Sequence, residues 1–203
     1  MGNWKEPLLT IGSVAARPDA ATTCFASRTG EQIVFRPLLP IDAPQLAKFL
    51  EGLSPRTRVF STYPGYDLAA AQGLCNAINR YDKLRFVAMA GSHVVALLEF
   101  SLSITEANRQ AYQGYGIELN ERTDIRFGLC IADGWQDRGL GSDLMPYLID
   151  VARRLGKQRM ILWGGVLVEN SRAIHFYEKI GFRLLGRFTN GDGKDCRDGI
   201  LIL

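Results

Sequence analysis

The chain has 203 residues, 47% of them hydrophobic and 22% charged, with 24 basic against 21 acidic side chains and a formal net charge of +3. These values fit a globular protein of one domain or a small pair, and the scattered charge excludes the basic arm of a nucleic-acid binder. No apolar run reaches the ~20 residues that span a bilayer, so the expectation is a cytoplasmic protein with neither a membrane nor a nucleic-acid partner. The opening MGNWKEPLL lacks a secretory layout, and Glu6 stands where a myristoylation signal needs Ser or Thr. The four cysteines, Cys24, Cys75, Cys130 and Cys196, show neither CxxC nor zinc spacing, which predicts reduced, packed thiols and no metal.

Residues 1–20 carry no clear pattern and form a poorly defined extension. TTCFAS and QIVFRPL flank the turn RTGE and predict a hairpin ended by Pro37 and Pro40. IDAPQLAKFLEGL predicts a helix with Asp42 as N-cap, Pro44 in the first turn, and Leu46, Phe49, Leu50 and Leu53 at helical spacing. The loop SPRTRVFSTYPG leads to a second helix, YDLAAAQGLCNAIN. LRFVAMAGSHVVALLEFSLSI predicts two strands around a turn at Gly91 and Ser92. Residues 105–123 form a long polar connection of the kind used for lids and substrate loops, here a candidate acceptor-side lid.

The second half predicts a strand over 124–132, the turn GWQDRGLGS and a helix to Leu155. The strand RMILWGGVLV, the helix SRAIHFYEKI and two strands, FRLLGRF and GILIL, complete it. This β-α-β-α-β alternation implies a mixed sheet flanked by helices. No repeat or linker interrupts the chain, so the prediction is a single domain over 1–203.

Three glycines where a strand hands over to a helix suggest an anion site. Glycine allows a tight bend and close approach, and the first N–H groups of a helix attract negative charge. A Walker A loop would need Lys and Ser/Thr where Leu140 and Gly141 stand, and a Rossmann fingerprint would need a glycine where Leu144 stands. The pattern Gln136-x-x-Gly139-x-Gly141 fits another cradle. With VENSRAIHFYEKIGF at 168–182, where an Asn precedes a helix ending in Tyr-x-x-x-Gly-Phe, it resembles the GNAT superfamily of acetyl-CoA-dependent N-acetyltransferases. The close resemblance covers 124–188, and the first half agrees in element order only.

The resemblance implies an α/β GNAT fold: a mixed, mostly antiparallel central sheet with a splayed strand pair, flanked by helices. It implies acetyl-CoA as cosubstrate, its pyrophosphate held by the turn Gln136, Asp137, Arg138, Gly139, Leu140, Gly141 and Ser142. The backbone N–H groups from Arg138 onward are the principal donors, and the side chains of Gln136 and Arg138 add to them. The pantetheine arm would run along Leu129, Cys130 and Ile131, with the N–H of Leu129 or Cys130 facing an oxyanion. Asn170 suits both a helix N-cap and a cofactor contact. Tyr177 lies on the stripe Ala173, Phe176, Tyr177 and Ile180, which reads as core packing, while the resemblance makes it the general acid toward the departing thiolate. Gly181 is then the left-handed C-cap, and Pro146 should weaken or kink the helix after the turn.

A general base is harder to find. Some relatives carry a glutamate where this chain has Arg126, and an arginine cannot take a proton at neutral pH. Asp124 and Glu99 are the candidate bases, Glu118 and Glu121 lie in the long connection, and a water chain is an equal alternative. Arg126 itself is a candidate for binding an acidic substrate group. His93 and His175 form no convincing dyad. Tyr63, Tyr66, Tyr112 and Tyr115 are candidates for lining an acceptor pocket. The expected function is direct transfer of an acetyl group to a primary amine of a small molecule or protein in a ternary complex, by a monomer or homodimer. The alternative is a non-catalytic acyl-CoA-binding regulatory domain.

Overall fold

The computed structural model describes residues 8–61, 63–76 and 82–203. In chain order the elements are α1 (Ile11–Ala16), β1 (Thr23–Ala26), β2 (Gln32–Pro37), α2 (Ala43–Glu51), α3 (Pro55–Phe60), α4 (Leu68–Asn76), β3 (Lys83–Ala90), β4 (His93–Ser101) and α5 (Glu106–Gln113). There follow β5 (Asp124–Ile131), α6 (Leu140–Arg154), β6 (Arg159–Leu162), β7 (Val166–Leu167), α7 (Ser171–Lys179), β8 (Arg183–Thr189) and β9 (Asp195–Ile202). This is the mixed, mostly antiparallel α/β architecture that the sequence predicts. No helix among the described residues is long and apolar enough to cross a membrane.

The chain packs as two compact units interleaved along its length. Among the described residues, the hairpin unit comprises those within 11–100 and 129–144, and the β9 unit comprises 8–10, 101–128 and 145–203.

In the hairpin unit β1 pairs antiparallel with β2 from Thr23↔Phe35 to Ala26↔Gln32, and β2 with β3 from Ile33↔Ala90 to Pro37↔Phe86. Phe35 stacks on Phe86 at 5.0 Å and Phe86 meets Phe100 edge-on at 6.1 Å. The apolar stripes of α2 and α4 bury Leu46, Leu50, Ala71 and Leu74 in one cluster with Val87 and Leu97. Such burial is the main source of stability. Residues 11–21, which carry no legible pattern, form α1 and a short 3-10 turn, with Val14 buried. Asp42 does not cap α2. It sits in helical conformation, whereas a cap needs extended backbone, and its carboxylate takes Arg36 in two hydrogen bonds of 2.6 and 2.7 Å plus the Leu39 N–H at 2.8 Å. The predicted loop at 54–65 contains α3, capped by Ser54 Oγ, which accepts the Thr57 N–H at 3.2 Å. The last residues of the predicted second helix, 77–79, lie outside the described residues.

In the β9 unit β5 and β6 run parallel from Asp124↔Arg159 to Phe127↔Leu162, and Trp163 N–H adds a bond to Phe127 O at 2.9 Å. This pairing stops at Phe127 although β5 continues to Ile131. β9 is antiparallel to β6, β7 and β8 alike. The predicted strand RMILWGGVLV is two strands, because Gly164 and Gly165 turn the chain at φ +71° and +72°. The predicted lid at 105–123 contains α5, and its Tyr112 packs with Leu119, Ile161 and Ile200. Tyr112 is 0% exposed and donates its hydroxyl to Gly199 O at 2.8 Å, so it is a core residue and lines no open pocket. Helix α6 runs continuously from Leu140 to Arg154 with Pro146 inside it on an exposed position.

Candidate active site

In the hairpin unit the end of β5, the glycine turn and the first turn of α6 form one continuous segment. Gln136 Nε2 donates to Ile131 O at 2.8 Å and to Thr57 Oγ1 at 3.2 Å. Both donations fasten the turn whose phosphate contacts the resemblance implies. Asp133 performs the same task beside it, accepting the Ser54 N–H at 2.9 Å, the Ser54 hydroxyl at 2.6 Å and the Thr57 hydroxyl at 2.7 Å. Burial works against the charge of Asp133, but these donors hold its carboxyl below the ordinary range.

The turn uses left-handed backbone at Asp137 (φ +58°) and Gly139 (φ +83°). Only glycine adopts this conformation cheaply, and a Cβ at 139 would lie 2.3 Å from Cδ and Nε of Arg28. The N–H groups of Arg138, Gly139, Leu140, Gly141 and Ser142 donate to no acceptor among the described residues, whereas the next, Asp143 N–H, bonds Gly139 O at 3.1 Å. Two arginines border these donors. Arg28, from the β1–β2 turn, binds Asp143 on the first turn of α6 through Nε at 3.0 Å and Nη2 at 2.6 Å. Arg138 pairs with Glu31 of the same β1–β2 turn and lies 4.8 Å from the Trp135 ring. The Thr29 and Ser27 hydroxyls, ahead of Arg138, hold the Glu31 carboxyl down to about 2.

Upstream of the turn, burial pushes the Cys130 thiol up to about 12, so it stays protonated and inert. The Ala132 N–H bonds Val95 O at 2.9 Å, which ties the end of β5 to β4. Tyr66 donates to Arg58 O and Ser61 O and packs 6.2 Å from Tyr63. Glu99 is held by Arg85, which also donates to Leu74 O at 3.1 Å. That ion pair gives Glu99, one of the two candidate bases, an arginine partner.

In the β9 unit Asn170 caps α7, its Oδ1 accepting the Ala173 N–H at 3.2 Å. Asn170→Ala is expected to cost ~1 kcal/mol, the usual worth of such a cap, read from the urea midpoint. An unchanged midpoint would remove the cap from the account. Tyr177 is 9% exposed, its ring 5.3 Å from those of Phe176 and Phe182, and Phe182 stacks on Phe127 at 6.3 Å. Asp124, the other candidate base, is 0% exposed and gripped by Arg159 through two bonds of 2.6 Å, with the Asn120 N–H at 2.6 Å. A carboxylate so enclosed is paired with its counter-ion inside the fold. Glu121 accepts from Arg109 at 3.0 Å and from the Ile104 N–H at 3.1 Å, while Glu118 is exposed. Arg126 is nearly buried, bonded to Ser103 O at 2.8 Å and Ser101 Oγ at 2.6 Å, with its guanidinium 4.9 Å from the Trp163 ring.

One carboxylate escaped the sequence reading. Asp198 on β9 is buried and takes the Tyr115 hydroxyl at 3.1 Å. Its signal, a lone Asp next to a glycine in a closing strand, is indistinguishable from a turn residue without the fold.

The sequence model of the acetyltransferase (GNAT) family matches residues 53–182. Acetyltransferase PA5475 of Pseudomonas aeruginosa is 30% identical over 131 residues, which span 64% of this chain and 65% of that relative's own length. Among solved structures, the GNAT domain of S. lividans PAT matches with a TM-score of 0.70 at 21% identity, covering 92% of this chain and 99% of that one. Aminoglycoside acetyltransferase AAC(6')-Ib, solved with coenzyme A, matches with a TM-score of 0.65 at 17% identity, covering 84% and 94%. These structural likenesses carry the fold. The family match carries more, because it takes in most of the chain, including the glycine turn and Tyr177. The chain belongs to the acetyltransferase (GNAT) family.

Proposed function

We propose that the chain is an acetyl-CoA-dependent N-acetyltransferase acting on a primary amine of a small molecule or protein by direct attack in a ternary complex. The observation that carries this reading is the glycine turn, where five successive N–H groups have no acceptor among the described residues. They sit at the start of a 15-residue helix between two arginines. Such donors, a helix N-terminus and neighbouring guanidinium groups suit a pyrophosphate. The absent Cβ of Gly139 makes room for the Arg28 guanidinium beside these donors. Acetyl-CoA, when bound, supplies an activated thioester acyl group.

The chain's own residues do the rest. Gln136 and Asp133 keep the turn in shape, and Arg28 and Arg138 exchange part of their carboxylate pairing for phosphate. An N–H of Leu129 or Cys130 polarises the carbonyl oxygen, and Asn170 orders the start of α7. The Tyr177 phenol holds the proton destined for the thiolate sulfur. With Asp124 and Glu99 committed to arginines, the amine proton leaves to water. Thermal unfolding with acetyl-CoA, NAD and ATP tests the cofactor, since a ligand of the folded state raises stability by RT ln(1 + [L]/Kd). A selective rise with acetyl-CoA is expected, together with amine acetylation that Tyr177→Phe abolishes while binding survives. No rise with any CoA compound would refute the assignment.

A second reading follows from the ion pairs that occupy both candidate bases and from Arg126 at the position of a family glutamate. In that reading the chain is an acyl-CoA-binding regulatory domain. It is favoured if acetyl-CoA binds tightly and no amine in a broad panel is acetylated.

A further inference from the structure

We propose that Glu31 is a built-in competitor of the cofactor, its carboxylate contending with the cofactor phosphates for Arg138 and so setting how tightly coenzyme A is held. This rests on the cofactor reading above. Every group involved belongs to the hairpin unit. Glu31 precedes residue 53, where the family match begins, so the competitor is no part of the shared motif. Arg138 Nη2 donates to Glu31 Oε1, and the N–H of Arg138 opens the run of five donors. The carboxylate is fixed there by its own turn. Ser27 Oγ donates to Glu31 Oε2 at 2.8 Å, the Thr29 hydroxyl donates to the same oxygen, and Glu31 N–H bonds Ser27 Oγ at 3.1 Å. Ser27 N–H to Glu31 O and Gly30 N–H to Ser27 O, both 2.8 Å, close the turn. With its carboxyl held down to about 2 by the Thr29 and Ser27 hydroxyls and then by Arg138, Glu31 is charged throughout the neutral range.

The pair is placed to exchange. The side chains of Arg138 and Glu31 are 38% and 33% exposed, so a dissolved anion reaches both. Each partner keeps other contacts when they part: Glu31 its two hydroxyls, Arg138 the Trp135 ring at 4.8 Å and Gly134 O at 3.4 Å. Neither is stranded as an isolated buried charge, so parting costs little. The neighbouring pair differs, because Asp143 is 15% exposed and grips Arg28 through N–H, Nε and Nη2 at 3.1, 3.0 and 2.6 Å. A phosphate that takes Arg138 meets the fixed Glu31 carboxylate as a like charge beside it. The apparent affinity is then scaled by the fraction of chains in which Arg138 is released. Glu31 therefore works against the cofactor, whereas a carboxylate that merely oriented Arg138 would work for it.

The test titrates the full chain with coenzyme A and with inorganic pyrophosphate, by isothermal titration at low salt, as wild type, Glu31→Gln, Arg138→Ala and the double variant. Glutamine keeps the size of the side chain and still accepts the Ser27 and Thr29 hydroxyls without the charge, at a surface position where such a change costs little stability. Glu31→Gln should bind coenzyme A about threefold to fivefold more tightly, the scale of an exposed ion pair. Arg138→Ala should weaken binding, and adding Glu31→Gln to it should change the affinity by under about twofold, since no guanidinium remains to be contested. Equal or weaker coenzyme A binding by Glu31→Gln overturns the proposal. So does the same gain in the Arg138→Ala background, which would mark a general repulsion. A gain with pyrophosphate while no protein binds coenzyme A would leave the competition standing and count against the cofactor reading. No binding of either probe by wild type or Glu31→Gln overturns both.

Discussion

Arg159→Ala should destabilise the folded chain by about 3–5 kcal/mol, because it leaves a fully buried carboxylate without its counter-ion. Asp124 has 0% exposure and receives Nε and Nη2 of Arg159 at 2.6 Å each, and the other donors are neutral, the Asn120 N–H at 2.6 Å and the Thr123 hydroxyl at 3.5 Å. Arg159 Nη2 also donates to Glu118 O at 2.7 Å, so the loop before β5 loosens as well. For a chain of this size each kcal/mol lowers Tm by about 2–4 °C. Urea and thermal unfolding both read the loss. Removing the two charges together, as Asp124→Leu with Arg159→Met, should recover most of the stability, since no isolated charge remains. A single-variant loss under ~1 kcal/mol would show that solvent reaches Asp124 and that the pair is not a structural keystone of the β5–β6 start.

Gly139→Asp should leave the chain folded and weaken coenzyme A binding on the order of 100-fold, about 2.7 kcal/mol. Three effects add. The residue must hold φ +83°, which costs an L-residue roughly 1–2 kcal/mol. Its Cβ falls 2.3 Å from the Arg28 side chain, which must leave Asp143 to make room. Its carboxylate then competes with phosphate for the free N–H groups that follow. Gly139→Ala shares the first two effects and not the third, so its affinity should lie between that of the wild type and that of the aspartate variant. Isothermal titration with coenzyme A separates them, and equal affinity in all three proteins would remove the glycine turn from the cofactor site.

The glycine turn and the end of α7 were legible because their signals are local. Gly181 takes φ +99°, and the Phe182 N–H reaches Tyr177 O at 2.9 Å while the Gly181 N–H reaches Glu178 O at 3.1 Å. This is a Schellman closure that any Gly-Phe after a helical stripe announces. Helix α3 also had a signal, Ser54 followed by Pro55, but six residues are too few to show a period. Helix α5 hid behind the polar run EANRQAYQ, whose one deeply buried side chain is Tyr112. The partners of Asp42, Glu99, Asp124 and Asp198 were beyond reach for another reason. Each carboxylate looks alike in the sequence, and what decides its role is a cation or phenol brought to it by the fold. Arg36, Arg85, Arg159 and Tyr115 lie between 6 and 83 positions away. Side-chain chemistry was visible at every position, but its pairing was not.

Strand β9 pairs with β6, β7 and β8, and it follows all three in the chain. During synthesis these strands emerge from the ribosome before the partner that joins them, so each carries an open edge for as long as translation of the intervening stretch lasts. Open strand edges are templates for pairing with other chains. The nascent protein therefore passes its period of greatest aggregation risk late, when the hairpin unit has already been translated through residue 144. Conditions that slow elongation across 168–195 would prolong that period without altering the finished fold.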